Sequence, residues 1–109
     1  MAYDGELAER VSAMIGFREG VTERKMFGGI AWMVQGNMAC CVLGQEVLVR
    51  LGDEDSARAL AEPHTRRFDM TGRPMRGFVM VGGQAVEHDD ELRAWVDAGA
   101  DYASSLPPK

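Results

Sequence analysis

Arg24-Lys25-Met26-Phe27-Gly28-Gly29-Ile30-Ala31-Trp32-Met33-Val34, followed by Met38 to Leu43 and Val47 to Leu51, is the stretch whose reading decides the fold. Its apolar runs are short, and turn chemistry separates them: Gln35-Gly36-Asn37 and then Gly44-Gln45. Short runs joined by tight turns read as three consecutive antiparallel strands. Gly28-Gly29 interrupts the first, as a bulge or a point of close backbone approach.

Working outward, Asp4 is placed to cap a first helix to about Arg18, with Leu7, Val11, Met14 and Ile15 at helical spacing. Gly20 can stop it. Beyond the meander, Asp53 caps a short helix from Glu54 to about Ala61, with acidic residues in the first turn, and Pro63 ends it. Thr65 to Met70 and Gly77 to Val81 read as two more strands around a Thr71-Gly72-Arg73-Pro74 turn. Asp89 or Asp90 opens a last helix to about Ser105, with Leu92, Trp95, Val96, Ala103 and Leu106 as its apolar side. The order α-β-β-β-α-β-β-α predicts an α+β fold. It is a two-layer sandwich with a five-stranded antiparallel sheet and helices mainly on one face. Residues 1–109 suit one domain.

Two-residue turns at Gly36-Asn37 and Gly44-Gln45 would set Trp32 beside Cys41 and Cys41 beside Leu48. Alternation then groups Ile30, Trp32, Ala39, Cys41, Leu48 and Arg50 on an outer face. Phe27, Met33, Cys40, Val42, Val47, Val49 and Leu51 fall on the inner one. An outer face with a tryptophan in its middle predicts a partner surface. Ile30, Trp32, Cys41, Leu48 and Arg50 are the expected self-association surface, and a homodimer or another protein the expected partner.

The charge balance narrows the function classes. Twelve basic against 17 acidic residues give a net charge of −5, which opposes nonspecific binding to a phosphate backbone. Nucleic acid is therefore not expected as a direct partner. No apolar run approaches the roughly 20 residues of a membrane span, and the acidic N-terminus lacks signal-peptide character. The two cysteines are adjacent and point to opposite faces of a strand, which disfavours a bridge between them and favours a reduced, cytoplasmic setting.

Catalytic motifs do not assemble. Cys40-Cys41 lacks metal-ligand spacing, and nothing draws His64 and His88 to it, so no metal and no cofactor are expected. Glu87-His88-Asp89-Asp90-Glu91 sits where a helix cap and first turn belong. Neither Gly28-Gly29 nor Gly82-Gly83 continues into a phosphate-binding loop, and no nucleophile elbow occurs. The chain is expected to be non-enzymatic. Two segments remain as a candidate site for an anionic ligand, a nucleic acid or a peptide: Arg24-Lys25-Met26-Phe27-Gly28-Gly29, and Arg73-Pro74-Met75 in a turn, with Lys25 and Arg73 supplying charge.

At these residues the chain resembles the TfoX N-terminal domain family of competence regulators, also called the Sxy family. The likeness rests on the R-K-M-F-G-G string of residues 24–29, on Gly36-Asn37-Met38, and on Leu48-Val49-Arg50-Leu51. It continues through Phe68, Gly72-Arg73-Pro74-Met75, Phe78 and the last helix with Trp95, so it covers nearly the whole chain. The resemblance implies a two-layer α+β fold of the type shared with secretion chaperones, in a bacterial cytoplasmic protein tied to regulation of DNA-uptake genes. Two-domain members carry a further helical domain. This chain matches the N-terminal domain standing alone, and the implied role is an accessory regulator of transcription that works through protein–protein contacts.

Overall fold

A computed structural model describes the backbone of residues 3–26, 28–70 and 73–109, and the side chains of the same residues except Met70, Arg73 and Pro74. The elements are α1 (Gly5–Ile15), β1 (Val21–Met26), β2 (Gly29–Val34), β3 (Asn37–Leu43), β4 (Glu46–Arg50), α2 (Asp53–Ala59), β5 (Thr65–Met70), β6 (Arg73–Val81) and α3 (Asp89–Ser105), with a 3-10 turn at Gly83–Val86. The α+β class and the antiparallel sheet are as expected. The sheet has six strands rather than five, in the order β1-β2-β3-β4-β6-β5. The additional strand comes from the Gly28-Gly29 region, which is where a hairpin reverses. Val21–Met26 pairs back on Gly29–Val34, with Met26 opposite Gly29.

Gly28 sits at φ +77, where a side chain would be strained. A Cβ on Gly29 would lie 2.0 Å from the carbonyl oxygen of Val42. Both glycines are accounted for by the backbone.

Helix α1 begins where Asp4 accepts hydrogen bonds from the amides of Glu6 and Leu7. It buries Leu7, Val11, Met14 and Ile15, the stripe its sequence spacing predicted. Helix α2 starts one residue earlier than expected: Asp53 is its first residue, and Gly52, with no side chain to offer, is the N-cap. Helix α3 lies across β3 and β4, with α1 alongside it, while α2 packs on β6. A Cβ on Gly99 of α3 would stand 2.5 Å from the carbonyl oxygen of Ala39, so helix and sheet approach closely there.

The register departs from expectation at one place. The turn is Gln35-Gly36, with Val34 opposite Asn37, and the pairing of β2 with β3 shifts between Trp32 and Met33. Trp32 pairs with Cys40, and Ala39 is the additional residue of a bulge. Ala39 and Cys40 consequently both face the helices.

The expected outer face therefore divides. Ile30 and Trp32 belong with the helix-covered core, and Trp32 is 1% exposed. Cys41 and Leu48 lie on the helix-free face, and Arg50 shares it through the ring of Phe78. Met33, expected inside, is on the helix-free face too. The remaining inner residues, Cys40, Val42, Val47, Val49 and Leu51, fall in the helix-covered core as read, and Phe27 lies outside the described residues.

Candidate functional site: a groove beside the β5–β6 hairpin

The helix-free face does not lie open. Ala31, Cys41 and Leu48 have no exposed surface, and Met38 and Met80 very little. Half-buried Met26, Met33, Leu43, Phe68 and Phe78 pack around them as a rim. Among the described residues no helix residue belongs to this cluster, so the sheet's own side chains shade its centre. Arg50 adds a cover at one end, its guanidinium lying 5.6 Å from the centroid of Phe78 and 5.7 Å from that of Tyr102.

The two cysteines report on the two faces. Burial raises the thiol pKa of both, with Cys41 adding to the effect at Cys40. Cys41, under the rim alone, rises to about 11, while Cys40, under the helices, is pushed higher still. Neither is a nucleophile near neutral pH. Among the described residues, no group of three or more His, Cys, Asp or Glu could hold a metal. Nor is any described helix long and apolar enough to cross a membrane.

A concavity lies where β6 parts from β4. Strand β6 pairs with β4 only as far as Phe78, opposite Arg50. Gly77, at φ +86, then turns the backbone aside, and its carbonyl oxygen accepts from the amides of Leu51 and Gly52 at 2.7 and 3.1 Å. On the other side the pairing with β5 slips between Arg67 and Asp69, so that Phe68 alone stands against residues 75–78. The displaced backbone forms one wall of a groove of about 180 Å³ and α2 forms the other. Ala57, Leu60, Met75 and Phe78 make its apolar lining, and Arg67, Arg76, Asp53 and Ser56 its polar edge.

The charges on this hairpin differ in how committed they are, and Arg66 is not among the groove's lining residues. Arg66 donates to both carboxylate oxygens of Glu46, at 3.1 and 2.6 Å, and this bonding raises its already high pKa. Arg76 lies 3.8 Å from Asp53, and its side chain is 85% exposed. Arg67 is exposed on the groove edge, and no acidic side chain among the described residues pairs with it.

The sequence-derived candidates are dispersed rather than gathered. Arg24, Lys25 and Met26 stand on β1, one edge of the sheet, and Arg73, Pro74 and Met75 on β6, with β2, β3 and β4 between. Lys25 and Arg73 thus come from separate parts of the sheet, and of the six candidates whose side chains are described only Met75 lines the groove. Phe27 and the side chains of Arg73 and Pro74 lie outside what is described. Arg67, Arg76, Ala57 and Leu60 were missed as site residues. Their signal was the crowding of arginine on residues 66–76, visible only when that hairpin is counted apart from the acidic chain.

The acidic run at Glu87–Glu91 is structural. His88 is the N-cap of α3, Asp89, Asp90 and Glu91 occupy its first turn, and Arg10 of α1 ties down Asp89 and the carbonyl of Glu87.

These features define a small α+β domain with one face sealed by helices, the other by its own strands, and a basic-edged groove at the hairpin. A family model, the TfoX N-terminal domain, matches residues 14–103, and the chain belongs to that family. No curated protein and no solved structure gives a significant match.

Proposed function

We propose that this chain is a non-catalytic interaction domain, an accessory regulator of the competence type, which acts by holding a protein partner at the groove between α2 and the β5–β6 hairpin. The observation that carries this reading is the groove itself. Apolar side chains here reach an edge with an arginine that no acidic side chain among the described residues pairs. Membership of a family of regulatory domains supports the same reading. The partner first expected through Trp32 has no access there, because the indole is inside and its Nε1 donates to Glu23 at 3.0 Å.

A photo-crosslinking residue at Met75, compared with one at Thr22 on the opposite sheet edge, tests the proposal in native cells. A discrete adduct with one other protein from position 75, and none from 22, is the expected result. Adducts from 22 alone would place the partner elsewhere and end this reading of the groove.

A further inference from the structure

Residues 65–76 carry Arg66, Arg67, Arg73 and Arg76 against one acid, Asp69. The hairpin is therefore +3 in a chain of −5, leaving −8 on the rest. A charge segregated so sharply selects a ligand of opposite sign that is small enough to meet the hairpin and little else. We infer that the groove takes a short, extended acidic segment of another protein, with one large apolar side chain seated against Leu60, Met75 and Phe78 and flanking carboxylates on Arg67 and Arg76.

Two observations favour a peptide over the other anions available to a cell. The lining is apolar, which suits a side chain and gives a phosphate nothing. Strand β5 is also a sheet edge, with β6 on one side only, so an extended segment has backbone groups to pair with.

The inference rests on the groove being the partner site and adds the partner's chemistry. A displayed library of random ten-residue peptides, selected on the whole chain, tests it. The expected winners carry Asp or Glu on both sides of one Leu, Met, Phe or Trp. Their binding should fall about tenfold in an Arg67→Glu/Arg76→Glu variant and survive in Arg67→Lys/Arg76→Lys. Winners that are neutral or basic, or acidic winners that bind the double-glutamate variant equally well, would overturn it. So would a ten-nucleotide single strand that binds as tightly as the best peptide, and that result would reassign the arginines to phosphate. Should the Met75 crosslink persist in the double-glutamate variant, the groove would stand as the partner site and the acidic recognition alone would fall.

Discussion

The two faces of the sheet reach burial by different means. On one face α1, α2 and α3 supply a second layer, and Trp32, Val42, Val47, Val49, Val79 and Val81 lie beneath it with almost no exposed surface. On the other, five floor residues are also buried, Ala31, Cys41 and Leu48 fully, and the described residues packed around them come from the sheet's own strands. A helix layer is thus not required to dry a sheet face. Flexible side chains suffice, and methionine, with three rotatable bonds, packs both the floor and the rim of such a face well. Met26, Met33, Met38 and Met80 all serve here.

The largest test of that contrast is a pair of neighbours on opposite faces. Trp32→Ala removes a fully buried ring and leaves Glu23 without its indole donor, and should cost about 3–5 kcal/mol in urea unfolding. Met33→Ala, on the half-buried rim, should cost about 1 kcal/mol. Equal losses would show that the faces had been wrongly assigned.

A second pair asks whether the rim-closed face is a true core. Leu48 lies under the rim and Leu92 under the helix layer, both with no exposed surface. Each change to alanine should lower stability by about 2–5 kcal/mol. A Leu48 loss several times smaller would mean that water reaches the floor.

The cysteines give a pH test. A buried thiol keeps its proton in the folded chain after the unfolded chain has begun to lose one at the usual value of 9.0, so unfolding releases protons and stability falls as pH rises. The fall should begin near that value and continue through about 11 for Cys41 and beyond it for Cys40. Each thiol contributes up to about 1.4 kcal/mol per pH unit within its window. Melting temperature against pH should flatten in Cys40→Ser/Cys41→Ser, and thiol labelling should reach Cys41 before Cys40. Reversed labelling would contradict the contrast between the two covers.

The smallest effects lie on the surface. Arg10→Ala, which breaks the α1–α3 bridge to Asp89, and Glu46→Gln, which weakens the tie to Arg66, should each change stability by about 1 kcal/mol or less. Both effects should shrink further in salt.

Much of this architecture was legible before any coordinates. Periodicity placed α1 and α3, and turn chemistry placed β3, β4 and β5 within a residue or so. The pairing of Cys41 with Leu48 followed from the Gly44-Gln45 turn and holds. What failed was parity in β2. Taking the turn as Gln35-Gly36 rather than Gly36-Asn37 moves each partner by two and keeps the faces; the one-residue bulge at Ala39 is what changes them, and it has no mark in composition. The groove was equally hard to read. It depends on β6 veering off at Gly77 and on α2 arriving beside it, and neither event is local to the residues it joins.

Ala39 and Gly99 make a matched pair. The surplus residue of β3 sits directly under the lone glycine of α3, close enough that a methyl group would strike its carbonyl. The bulge thus works as a shim that sets how far the last helix stands off the sheet. Removing residue 39 would leave every inward and outward position of the meander as it is and would strip away only that support. The chain could lose one link there and keep its pattern, yet its longest helix would rest on a gap.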